Sequence, residues 1–216
     1  MKSVALMSGG KDSFLSALIA MEQGFEVGLS LTVIPEEDSF MYHVPNAAMA
    51  SYSAEILGIQ WQKVSEDRVR ETIESLAQTG YRALIAGAIA SSYQKTRLES
   101  LCTEMGMCLF TPLWLLDQEK VLNELILRNI RAIIVSASAE GMEEKDIGRE
   151  IDEEFIEEMK RRSRKVGLNI SGEGGEYESF VLGFMKKNIK IVRSEKYWNG
   201  QSGHLLIREA HLSNEK

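Results

Sequence analysis

The chain has 216 residues, of which 44% are apolar and 26% charged, enough for one large domain or two small ones around a substantial core. A net charge of −7 weighs against a broad nucleic-acid surface, and no apolar run approaches the roughly 20 residues that a membrane helix needs. Two cysteines, Cys102 and Cys108, are too few for a zinc site or a disulfide framework, and their spacing is not that of a CxxC pair. Both sit in an apolar pattern and are expected to be buried thiols.

Residues 4–7 are a short apolar run that predicts a strand, and residues 13–21 predict the helix that follows it. Between them lies Ser8-Gly9-Gly10-Lys11-Asp12-Ser13. A glycine-rich turn from strand to helix aims backbone N–H groups at one spot, and the helix dipole adds partial positive charge there. Lys11 adds a full charge, so the segment predicts a phosphate cradle. Its glycines are spaced too closely for the GxxxxGK[ST] pattern. The plainer alternative is a Gly-Gly turn with a solvated lysine and a capping Asp or Ser.

Strands and helices then alternate. A buried strand is predicted over 27–34, a loop over 35–45, a helix over 46–57 stopped by Gly58, a strand over 61–64 and a helix over 68–78 ended by Gly80. Residues 83–89 predict a third apolar strand ending in Gly87-Ala88-Ile89, residues 93–105 a helix stopped by Gly106, and residues 107–110 a strand. Asp117 opens a helix to residue 128, and 131–136 predict one more strand. Such alternation implies a parallel sheet whose ligands bind at the carboxyl ends of its strands. The glycine turn, the loop around His43 and Gly87-Ala88-Ile89 all follow strands and can share that rim.

The pattern changes after residue 140. A charged helix over 151–166 is acidic at its start and basic at its end, as the dipole favours, and Gly167 stops it. Strands are predicted over 179–185, 189–197 and 204–211, the last two joined by a turn-rich hairpin. The expected fold is therefore α/β: a Rossmann-like, HUP-like parallel-sheet nucleotide domain over 1–138 and a smaller C-terminal α+β domain over 139–216. Ahead of the first of these three strands stands Gly172-Glu173-Gly174-Gly175-Glu176-Tyr177-Glu178-Ser179. Its glycines permit close approach or positive φ, and its carboxylates with Tyr177 can form an acidic pocket with an aromatic wall. A polar turn between strands is the alternative.

Ser8 to Ser13 resembles the PP-loop, SGGxDS, of ATP pyrophosphatases, which cleave ATP to AMP and pyrophosphate. Further motifs follow in order: Met41-Tyr42-His43-Val44-Pro45-Asn46, Gly87-Ala88-Ile89 with Tyr93-Gln94-x-x-Arg97-x-Glu99, Pro112-Leu113-Trp114, and Glu173 to Ser179. Together these resemble the diphthine–ammonia ligase family. A sister branch carries His where this chain has Glu178; Leu98 and Ala90-Ser91-Ser92 are mild departures from the family pattern.

The resemblance implies that the carboxylate of diphthine, a modified histidine of translation elongation factor 2, is adenylated by ATP and amidated by ammonium to diphthamide. ATP and Mg²⁺ are the implied cofactors. The implied partners are elongation factor 2 and ammonium, without direct nucleic acid or membrane contact and with a homodimer allowed. Nucleotide binding is expected at Ser8, Gly9, Gly10, Lys11, Asp12, Ser13, His43, Gly87 and Ala88, with Gly87 admitting the nucleotide and Asp12 capping the helix or helping to hold the metal. Gln94 and Arg97, three apart on one helix face, can reach the α-phosphate or the substrate carboxylate. Gly174, Gly175 and Tyr177 are expected to bind substrate. Lys11, Glu173, Glu176 and Glu178 are the expected catalytic residues. No metal-ligand spacing links the three histidines.

The amino terminus has no basic stretch followed by a cleavage site, which makes a cytoplasmic location the expectation. Two other functions use the same residues: a PP-loop synthetase adenylating a small-metabolite carboxylate, and a non-catalytic nucleotide sensor. Replacing Glu173 and Glu176 separates enzyme from sensor, since only the enzyme needs them.

Overall fold

A computed structural model describes residues 1–34 and 46–214, apart from the side chains of Gln94 and Asn214. The chain divides into two compact units, Met1–Leu115 and Leu116–Lys216. In the first, five parallel strands are ordered β3-β2-β1-β4-β5, with β1 (Lys2–Leu6), β2 (Glu26–Ile34), β3 (Gln60–Ser65), β4 (Ala83–Ile85) and β5 (Cys108–Phe110). The order reverses between β1 and β4, the position where α/β sheets open a crevice. Among the described residues, the α-helices that connect these strands are α1 (Lys11–Glu22), α2 (Ala50–Leu57), α3 (Val69–Gln78) and α4 (Ser92–Glu104).

Packing follows from the apolar runs. Val4, Leu29, Leu31, Leu84 and Ala86 of the sheet region meet Ile73 of α3 and Leu98 and Cys102 of α4 in one core cluster. Phe14, Leu15, Ala17 and Leu18 give α1 its buried side. Thr32 ties the carboxyl end of β1 down: its Oγ1 donates to Met7 O at 2.7 Å and accepts from Trp61 Nε1 at 2.9 Å. The glycine turn therefore leaves a fixed strand end.

The second unit is a closed antiparallel barrel of β6 (Ile130–Ala137), β7 (Tyr177–Phe184), β8 (Lys187–Trp198) and β9 (Gly203–Asn214). Two helices belong to it, α5 (Gln118–Leu127) and α6 (Glu153–Val166). Asp117 and Asp152 cap them, accepting from Lys120 N at 3.1 Å and Phe155 N at 2.7 Å.

Three expectations need correction. The strand expected to end the parallel sheet at 131–136 instead opens the barrel, because Ile130–Ala137 pairs with β7 and β9; the division falls after Leu115 rather than after residue 138. The third strand stops at Ile85, so Gly87-Ala88-Ile89 belongs to the following loop. Cys102 is buried as expected, but Cys108 is exposed, since β5 is the edge strand of its sheet. Among the described residues, no helix is long and apolar enough to cross a membrane.

Candidate active site

The turn after β1 is closed by its own hydroxyls. Ser13 Oγ donates to Gly10 O at 3.0 Å, the Ser8 N–H donates to Ser13 Oγ at 3.3 Å, and the Gly10 N–H donates to Ser8 Oγ at 3.3 Å. Gly9 takes φ +88°, a backbone state that excludes most side chains. Gly10, which has no side chain to cap with, occupies the N-cap of α1. Its first turn can therefore present N–H donors, backed by the helix dipole, to an anion.

Lys11 is only 3% exposed, and its Nζ lies 2.7 Å from Asp12 Oδ2. Asp12 Oδ1 is buried and has no hydrogen-bond partner among the described residues. The capping role considered for Asp12 is therefore ruled out: its carboxylate pairs with Lys11.

Gly87 makes a close contact within the protein itself. A Cβ there would stand 2.8 Å from Asp12 C and Ser13 N and 2.9 Å from Asp12 O. The missing side chain admits the backbone of α1, so the loop after β4 packs directly on the nucleotide turn. Ala88 is buried in the same loop. His43 lies outside the described residues, as does the side chain of Gln94, whose backbone is in the first turn of α4. Arg97, one turn further along α4, is exposed.

In the second unit, the acidic segment wraps around Glu176. The Asn169 N–H and Nδ2 donate to its Oε1 at 2.8 and 2.7 Å, and the Gly174 N–H donates to its Oε2 at 2.8 Å. Asn169 is itself held by Gln118, whose Nε2 donates to Asn169 Oδ1 at 2.7 Å. Ser138 closes the far side, its Oγ donating to Gly175 O at 2.8 Å and its N–H to Glu176 O at 3.0 Å. A Cβ at Gly174 would fall 2.5 Å from Asn169 Nδ2 and 2.7 Å from Glu176 Oε1, so a larger residue there would displace these two side-chain ends.

Tyr177 is not the open aromatic wall that the sequence suggested. The ring is 3% exposed and packs edge-on against Phe155 with centroids 5.7 Å apart, while its hydroxyl donates to Ile170 O at 2.8 Å. Glu178, next along β7, points the other way and is exposed; Glu173 is half-buried in the loop. The segment thus separates into Glu176 and Tyr177, which hold it together, and Glu173 and Glu178, nearer to solvent. Gln118 and Asn169 escaped sequence reasoning. They lie 51 positions apart, and no local pattern links them.

Among the described residues, no group of three or more His, Cys, Asp or Glu side chains could hold a metal alone. A magnesium ion carried on phosphates needs only one or two carboxylates, and Asp12 Oδ1, buried at the start of α1 without a hydrogen-bond partner among the described residues, fits that requirement.

Residues 1–109 match the diphthamide synthase N-terminal domain, and residues 117–212 match the diphthamide synthase C-terminal domain. A protein of Schizosaccharomyces pombe named diphthine–ammonia ligase is 31% identical over 96% of this chain and 39% of its own length. The diphthine–ammonia ligase of Bos taurus is 30% identical over 90% of this chain and 84% of its own, and that of Homo sapiens 29% identical over the same shares. This chain therefore spans well under half of the yeast relative and most of the two mammalian ones. It belongs to the diphthamide synthase family, a family of ATP-using ligases that form a C–N bond.

Proposed function

We propose that this chain converts the diphthine of translation elongation factor 2 into diphthamide through an acyl-adenylate. A substrate carboxylate oxygen attacks the α-phosphorus of ATP, and pyrophosphate leaves. Ammonia, after ammonium gives up a proton, attacks the acyl carbon, and AMP departs with the former carboxylate oxygen. A carboxylate and an amine do not condense unaided in water, and AMP supplies the leaving group.

The start of α1, with glycine at its N-cap and Lys11 in its first turn, carries this reading. Its N–H donors and the lysine charge suit the departing pyrophosphate, where negative charge accumulates. Magnesium, when bound, offsets phosphate charge, and Asp12 would hold it. Glu173 and Glu178 are assigned to accepting protons from ammonium, Glu176 to shaping their loop, and Gly174 and Gly175 to backbone contact with substrate. Arg97 and Gln94 are assigned to the substrate carboxylate or the α-phosphate.

The test combines the protein, ATP, Mg²⁺, ammonium and elongation factor 2 bearing diphthine, with mass spectrometry of the modified peptide and chromatography of the nucleotides. Amide formed together with AMP is the outcome expected. Amide formed with ADP would overturn the adenylate, and AMP without amide would move the chain to another carboxylate acceptor.

A further inference from the structure

The first unit carries a groove of about 780 Å³ between the segment that leads into α3, Glu66 to Arg70, and one side of α4 along its length from Ser92 to Glu104. Small-ligand sites occupy roughly 300–1,000 Å³. The walls mix Glu66 and Glu104 with Arg70 and Arg97, around Leu98 and the ring of Tyr93. Arg70 and Glu104 satisfy each other through both guanidinium nitrogens, so that pair forms a neutral wall. Glu66 stands half-buried at the α3 end, and Tyr93 and Arg97 line the α4 side. Tyr93 is 65% exposed, a large ring left in water on the first turn of its helix.

Such walls discriminate by charge. Outside the neutral pair the wall carries one carboxylate, Glu66, and one guanidinium, Arg97, so the several negative charges of a triphosphate are poorly matched, whereas a side chain carrying one cation and one anion meets an opposite charge for each. A quaternary ammonium has no N–H to donate, so only a π face, a carboxylate or apolar contacts can recognise it. Tyr93, Glu66 and Leu98 provide all three, and Arg97 provides the carboxylate partner. Position favours the same occupant. Gly87 packs on the first turn of α1, and Ser92, which opens α4, follows it by five positions, a span of at most about 18 Å. The groove wall is thus tethered close to the nucleotide turn.

We propose that this groove receives the modified histidine side chain, with its trimethylammonium against Tyr93 and Glu66 and its carboxylate toward Arg97. The assignment rests on the ligase reading above and deepens it by naming the residues that select a zwitterionic acceptor.

The probe is γ-butyrobetaine, which carries a trimethylammonium and a carboxylate, titrated into the full chain with the Leu98 methyl groups followed by NMR, and the Tyr93 ring as well where it is present. Saturable binding in the millimolar range is expected, about 10-fold weaker in Tyr93→Ala and also weakened in Glu66→Gln. Butyrate and tetramethylammonium, each with half of the charge pattern, should bind less well. No saturable binding, or binding that both variants retain, overturns the site. In the ligation assay, the same variants should raise KM for the diphthine-bearing protein about 10-fold with KM for ATP unchanged; an unchanged KM for the protein also overturns it. A wild-type chain that binds the probe through Tyr93 yet makes no amide would leave the groove standing and remove the ligase reading instead.

Discussion

Asn169 and Glu176 are joined twice through one oxygen, the backbone N–H and the side-chain Nδ2 of Asn169 both donating to Glu176 Oε1. With the Gly174 N–H on Oε2, the carboxylate becomes the hub of the acidic loop. Glu176→Ala should strand these donors, and a buried unpaired donor costs about 1–3 kcal/mol. The expected result is a lower urea midpoint together with lost amidation. Glu173→Gln should stop amidation while changing unfolding free energy by less than about 0.5 kcal/mol. Equal destabilisation by the two substitutions would show that Glu173 is structural as well.

Gly87→Ala probes the contact between the loop after β4 and the nucleotide turn. The new Cβ would stand 2.8 Å from backbone atoms of Asp12 and Ser13, which cannot swing away as a side-chain tip can. Overpacking of this kind costs about 1–3 kcal/mol. The displaced atoms belong to the first turn of α1, so ATP affinity should fall along with stability. Isothermal titration with ATP, beside thermal unfolding, checks both. Stability lost without any change in ATP affinity would mean that the turn tolerates the shift.

The parallel sheet was legible because short apolar runs alternate with helical segments that stop at glycines, as at Gly58, Gly80 and Gly106. The sheet to which Ile130–Ala137 belongs was not legible. An apolar strand has the same pattern in a parallel sheet as in a barrel, and its partners begin only at Tyr177. Tyr177 was misread for a related reason. Within a run of polar residues it resembled a binding wall, yet the period of two along β7 places it inward and Glu178 outward. The role of Glu176 depends on Asn169 and Gln118, which meet only once α5 and the loop are folded.

Acid should act on the second unit through Glu158. Its carboxylate accepts from Arg149 Nη1 at 2.5 Å and from Arg162, which also holds the fully buried Asp146 at 2.6 and 3.1 Å. The Arg149 hydrogen bond is the largest cause holding its pKa down at about 2, against an ordinary 4.5. A carboxyl lowered on folding contributes stability in full above its unfolded pKa and loses it as pH falls through the folded one. The stabilisation from Glu158 should therefore be complete above about pH 4.5 and fade toward about pH 2. Glu158→Gln should lower stability at neutral pH and flatten this stretch of the profile. A wild-type slope retained in that variant would assign the acid sensitivity to other carboxylates.

Lys11 and Asp12 are adjacent, paired at 2.7 Å and differently exposed, with the lysine almost wholly covered. Burying an ammonium is costly unless a partner accompanies it, so the pair is placed at the helix start for a purpose other than packing. If Lys11 meets the departing pyrophosphate, Lys11→Met should slow AMP formation about 10²–10³-fold, the usual effect of removing one donor from a developing anion. Asp12→Asn removes the charge but keeps the shape, and should raise the Mg²⁺ concentration needed for half-maximal AMP formation. Measuring AMP release against Mg²⁺ for both variants separates the roles. Lys11→Met should reduce the plateau without moving the midpoint, and Asp12→Asn should move the midpoint. A Lys11→Met plateau equal to wild type would remove the lysine from catalysis and leave phosphate binding to the backbone of α1.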